Sequence, residues 1–140
     1  MRRHADFIIG KEDSPYLLRW WIIPRNRWFN IYLHKIVRSD DDRALHDHPW
    51  WNCSIILKGG YQEVTPSKIR WRAPGSITFR PAKAAHRLIL HGHCCWSLFI
   101  TGPKFREWGF HCPNGWRPWQ VFVSTDDGPG NPGRAGRGCG

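Results

Sequence analysis

The sequence contains no apolar run approaching the roughly 18 residues that a membrane-crossing helix needs, so no membrane partner is expected. The opening residues, Met1 to Asp6, lack the apolar stretch of a signal peptide, and a cytoplasmic location is the expectation that follows. A disulfide scaffold is missing too. The five cysteines, at 53, 94, 95, 112 and 139, are odd in number and irregular in spacing, which points to reduced thiols. Acidic side chains are scarce: 11 Asp and Glu face 21 Lys and Arg, a formal charge of +10. That balance favours anionic partners, whether nucleic acid, nucleotide, phosphorylated sugar or carboxylate. The cations form no dense cluster, however, so a soluble surface with a basic bias fits equally well. At 140 residues the chain is large enough for one domain with a real core and too short for two.

What is present is strand after strand. Trp28 to Val37 alternates Phe29, Ile31 and Leu33 with Trp28, Asn30 and Tyr32, the pattern of a half-buried strand. Tyr16 to Ile23 is a further candidate, although Ser14-Pro15 ahead of it would also start a helix. Trp50–Leu57 and Tyr61–Thr65 flank Gly59-Gly60, a hairpin signal. Lys68–Arg72, Ser76–Arg80, His86–Leu90, Cys95–Thr101 and Trp119–Val123 continue the series. The predicted class is all-β, a sandwich or barrel over residues 1–123. Residues 124–140 are rich in glycine and proline and carry almost nothing to bury, so a mobile tail is expected there.

The densest chemistry lies at His46-Asp47-His48. On a strand, side chains two apart share a face, so His46 and His48 can grip one ion, and a third imidazole must come from elsewhere. His86 follows Pro81 and a small-residue turn, where a neighbouring strand would deliver it to the same point. Parity puts Trp50, Asn52, Ser54 and Ile56 on the histidines' face and Cys53 on the opposite one, unless a bulge reverses it.

These residues resemble the two motifs of the cupins. His46, His48 and Gly59 match the first, with Asp40 at its leading glycine and Asn52 at its glutamate; Gly75, Pro81 and His86 match the second, with Lys83 at the inner glycine and Leu90 at the asparagine. The resemblance implies a single double-stranded β-helix, or jelly-roll barrel, holding one divalent metal ion on His46, His48 and His86. HDHPW at 46–50, GGY at 59–61 and WGFH at 108–111 are similar to strings in small phage and prophage cupin-like proteins. A narrower likeness, H-D-H-x4-C-x5-G from His46 through Cys53 to Gly59, is similar to cysteine dioxygenase, whose cysteine is cross-linked to a tyrosine well after the third histidine. Tyrosine occurs here only at 16, 32 and 61, so no residue matches that array.

Three neutral imidazoles leave a divalent ion its full charge and at least one open position, which favours an anionic substrate. Iron(II) is the favoured ion, with zinc, manganese and nickel also compatible. Asn52 and Cys53 are the candidate catalytic residues, Asn52 as a weak ligand or substrate donor, or else as a structural amide. Arg80 and Trp50 are the candidates for substrate contact, although a solvated arginine also fits Arg80. Asp47 reads as a surface or outer residue, and Glu63 as a substitute for the missing carboxylate. His91, His93, Cys94, Cys95, His111 and Cys112 superficially suggest a second zinc site but lack its spacing, and describe a hairpin turn instead. Residues 102–110 read as a loop and strand closing the barrel or as the surface of a homodimer. Two functions remain open: a mononuclear metal enzyme, an oxygenase with isomerase or lyase chemistry behind it, acting on a small anionic substrate; or a binding module for a sugar, nucleotide or nucleic acid.

Overall fold

A computed structural model describes residues 3–11, 14–39, 44–124 and 138–139. Alternation in the sequence becomes alternation in burial. Along β3 (Asn30–Ile36), Asn30, Tyr32, His34 and Ile36 face inward while Ile31, Leu33 and Lys35 are half-exposed. β5 (Asn52–Lys58) and β10 (Cys95–Thr101) repeat the pattern. With β1 (Phe7–Lys11), β2 (Ser14–Trp21) and β8 (Ile77–Arg80) they form a six-stranded antiparallel sheet in the order β1-β2-β3-β10-β5-β8.

Two three-stranded sheets complete the fold. One is β7 (Ile69–Arg72), β6 (Tyr61–Val64) and β9 (Arg87–Ile89); the other is β12 (Gly115–Pro118), β11 (Gly109–Cys112) and β4 (Leu45–His46). Tyr16, Leu17, Ile36 and Ile56 of the large sheet pack on Tyr61 of β6 and Leu88 of β9, with Cys95 in the same cluster. Each such side chain taken fully from water contributes about 1.5–3 kcal/mol before entropy is counted. The turn from β5 to β6 needs glycine: Gly59 has φ +87°, and a Cβ there would strike the Cys94 carbonyl oxygen.

Residues 119–122 do not extend the sheet as their sequence suggests. They form the one-turn helix α1 (Trp119–Phe122), which follows Pro118. Trp119 stacks on Trp108 at 5.7 Å and Phe122 on Phe110 at 3.6 Å, an i, i+3 pairing that a strand could not make on one face. Two strands had no sequence signal, β1 and β12, while β4 carries His46 of the expected H-x-H strand and β11 begins within the loop and strand expected over residues 102–110. Of the stretch expected to be a mobile tail, residues 125–137 and 140 lie outside the described residues, but Gly138 and Cys139 are held. The Gly138 amide donates to the Phe122 carbonyl at 2.9 Å, Arg117 Nη1 donates to the Gly138 carbonyl at 2.9 Å, and Cys139 is disulfide-bonded to Cys112. This corrects the expectation of reduced thiols for that pair. The bond joins positions 27 residues apart with no repeating spacing, so nothing in the sequence announces it. Cys53, Cys94 and Cys95 are free. No described helix is long and apolar enough to cross a membrane.

Candidate metal centre

Backbone pairing brings the three histidines together. His46 and His86 form an antiparallel bridge, each amide donating to the other's carbonyl at 3.0 and 2.9 Å. The His48 amide donates to the Ala82 carbonyl at 3.0 Å, which fixes the segment before His86 against the H-x-H pair. One ligand nitrogen from each ring lies within 4.8 Å of the other two. Asp47, between the two ligands, points the opposite way, as parity requires, but it is not on the surface: it is 1% exposed. Its carboxylate accepts from the Gly109 amide at 2.8 Å and from Trp116 Nε1 at 3.0 Å, and pairs with Arg106 at 3.1 Å. Arg106 also donates to the His48 carbonyl at 2.9 Å. Asp47 is therefore a bracket that locks the H-x-H segment to β11 and β12.

A second bracket holds His86. Glu63 on β6 is 2% exposed, and its Oε2 lies 2.6 Å from His86 Nδ1 and 2.5 Å from Arg80 Nε. Its Oε1 accepts from Arg72 Nε and Nη2 at 3.1 and 2.9 Å. Burial raises the Glu63 carboxyl, but the His86 hydrogen bond and the Arg80 charge outweigh it and hold the group well below the usual carboxylate range. With Glu63 ionised, His86 Nδ1 carries the proton and Nε2 keeps its lone pair, the outer-sphere arrangement that orients metal-ligating histidines. Burial brings the His86 imidazole down to about 4 despite Glu63. Burial first, then His86 and His46, drives His48 well below its ordinary value, and its buried Nδ1 has no hydrogen-bond partner among the described residues. Neutral imidazoles, one with an unpaired buried nitrogen, are a donor set that fits a divalent ion.

The remaining sequence candidates separate. Trp50 stacks on His48 at 5.3 Å and meets Phe99 edge-on at 5.5 Å, lining a cavity of about 250 Å³ that all three histidines share. Arg80 does not line it and is not solvated. Only 4% exposed, it donates to Asn52 Oδ1 at 3.2 Å, Ser54 Oγ at 2.9 Å and Tyr61 Oη at 3.2 Å besides Glu63. Asn52 faces inward as parity requires, yet it is sealed behind Arg80, its register partner across β5 and β8, and does not reach the cavity. Cys53 pairs with Phe79 and Ile100 on the outer face, away from the histidines, so the cysteine candidate is corrected. Glu63 is no direct substitute ligand; it stands behind His86. The His/Cys stretch at 91–95 joins no ligand cluster among the described residues.

Sequence reasoning missed Arg19 and His34, which line the cavity across from each other on β2 and β3. Arg19 Nε donates to His34 Nε2 at 2.9 Å, and the guanidinium lies over the Tyr32 ring at 4.3 Å. Parity along β3, applied to Tyr32, His34 and Ile36, was the available signal.

No family model matches the chain, and no curated protein sequence matches it. Solved structures do. A cupin-2 domain protein from Rhodospirillum rubrum superposes with a TM-score of 0.61 at 13% identity, over 78% of this chain and 76% of that one. The DMSP lyase DddQ from Ruegeria pomeroyi gives 0.58 at 15% identity, over 81% of this chain and 61% of the lyase, so the present chain spans less than two thirds of that protein. A putative mannose-6-phosphate isomerase from Ralstonia eutropha gives 0.56 at 16% identity, over 71% and 93%. The chain has the cupin jelly-roll fold.

Proposed function

We propose that this protein is a mononuclear metal-dependent cupin enzyme that acts on a small anionic molecule held in the aromatic cavity, with oxygenase chemistry on iron(II) favoured. The observation that carries this reading is the convergence of three imidazoles on the wall of a mostly apolar cavity, with Glu63 fixing the ring of one of them. His46, His48 and His86 would hold the ion. A bound iron(II) would supply the redox chemistry of an oxygenase, and zinc, manganese or nickel the Lewis acidity of an isomerase or lyase. The fold neighbours include a lyase and a putative isomerase, which keeps both chemistries behind the first.

The chain's own residues supply the rest. Trp50 and Phe99 line the cavity with apolar rings, which lowers the local polarity and strengthens polar contacts made against them. Glu63 keeps the His86 proton on Nδ1, and Asp47 stiffens the loop that carries His46 and His48. Metal analysis of protein purified with and without air is the direct test. One ion per chain is expected, lost in His86→Ala; in Glu63→Gln, ion affinity falls about 10–100-fold. A protein that takes up no iron(II), zinc, manganese or nickel would overturn the enzyme reading in favour of a metal-free binding module.

A further inference from the structure

We infer that Arg19 is the anchor for the substrate's anionic group, and that the substrate class is a small carboxylate with an apolar or aromatic body. This rests on the proposed metal centre only for what happens at the far end of the substrate.

Arg19 lines the same cavity as the histidine triad. Its position is unusual in what it lacks. The four described carboxylates, Asp6, Asp47, Glu63 and Glu107, are each committed to another cation: Arg3, Arg106, the Arg72–Arg80 pair and Lys104. Arg19 pairs with none of them. Its Nε is spent on His34 Nε2, and its face on the Tyr32 ring, with Phe7 beyond at 5.9 Å. Its hydrogen bond among the described residues is made through Nε, which leaves the terminal edge, Nη1 and Nη2, without one there. That edge is the two-pronged donor that fits a carboxylate bidentately.

Arg19 is half-buried, and the partial desolvation of its charge is not offset by an ionic partner among the described residues. Burial draws the Arg19 guanidinium down to about 10, and its charge is felt as far as His48. A supplied anion would remove the cost. Beyond the histidines the cavity wall is mostly apolar: Trp50, Phe99, Trp108, Leu88 and Ile36 suit a hydrocarbon or aromatic body, and the polar side chains among the rest, Ser54, Ser97, Tyr16 and Tyr61, bring no second charge. Across the register, Phe7, Arg19, His34 and Ser97 form one row over β1, β2, β3 and β10, a rigid sheet that holds the fork in place. His34 is neutral, driven well below its ordinary pKa by burial and by Arg19, and so serves as the acceptor that orients Nε. It is a positioning residue.

The test is calorimetric titration of the full-length protein, as purified and after chelation, with benzoate, phenylacetate and butyrate and with their neutral amides. At least one carboxylate is expected to bind, and its amide at least tenfold more weakly. Arg19→Met should lower carboxylate affinity at least tenfold and leave amide affinity unchanged, with a melting temperature equal to or above that of the wild type. Arg19→Lys, which keeps charge without the fork, should retain part of the preference, and His34→Phe should weaken the carboxylate and spare the amide. Absence of carboxylate binding, equal affinity for acid and amide, or carboxylate binding indifferent to Arg19→Met each overturns the inference. So does an Arg19→Met protein that melts well below the wild type or fails to fold, since that makes Arg19 a strut. Because the chelated protein is titrated as well, the two readings fail separately. Arg19-dependent binding in a chain that takes no metal sinks the metal centre alone, and metal uptake without such dependence sinks the anchor alone.

Discussion

Two arginines of this protein, Arg80 and Arg19, both point from the large sheet into the interior, and their surroundings differ in one respect. Arg80 is saturated: Glu63, Asn52, Ser54 and Tyr61 all take its donors, and none of this reaches the cavity. Arg19 has a histidine and an aromatic face but no carboxylate among the described residues, and it lines the cavity. The first is a structural ion pair, the second a charge left available. Sequence reading offered Arg80 for substrate contact, because a cation beside a motif proline looks accessible until its partner on another strand is seen.

The largest effect that would break this contrast is on stability. Arg80→Met leaves the buried Glu63 carboxylate with only Arg72 and His86 and takes the donor from Asn52, Ser54 and Tyr61, and a loss of about 3 kcal/mol in urea unfolding is expected. The same substitution at Arg19 should cost nothing. Equal losses at the two positions would erase the distinction.

Next in size is acid sensitivity on the Arg80 side. His86 has a folded pKa of about 4, below its ordinary value of 6.5, so the fold favours the neutral ring. The unfolded chain takes its proton near 6.5 and the native one only near 4. The stability this contributes is complete above pH 6.5 and is lost as pH falls from 6.5 to 4, by about 3 kcal/mol in metal-free protein. Glu63, depressed as well, extends the loss below pH 4.5. Denaturant midpoints across this window should show the slope, and His86→Gln should reduce it, leaving the part that His48 and His34 contribute; a flat wild-type profile would mean that burial does not hold the His86 ring neutral.

The smallest expected effect is at Cys53. Its side chain lies on the outer face of β5, so Cys53→Ser should leave metal content, carboxylate binding and melting temperature within error of the wild type. A selective loss of metal in that variant would mean that the strand slips by one residue and turns the thiol inward.

Much of the site was legible before any fold was known, for a local reason. Strand periodicity alone places His46 and His48 on one face, Asn52 with them and Cys53 opposite, and each of these orientations is found. The alternation of β3, β5 and β10 is similarly written in consecutive residues. Roles were harder to read than directions. Asp47 was correctly turned away from the ligands, yet its burial under Trp116 and Arg106 depends on a hairpin 60 residues later. The helix at 119–122 owes its form to Trp108 and Phe110 rather than to its own pattern.

The sequence by itself determined which residues share a strand face, because side-chain direction in an extended chain depends only on parity. Tertiary structure decided which faces meet. It bridged His46 to His86 across 40 positions, put Glu63 behind His86 in place of a motif carboxylate at 52, gave Arg80 an ionic partner and gave Arg19 none among the described residues. Partnership of buried charge is a long-range property, set by which strands the topology lays side by side, and no local pattern encodes it.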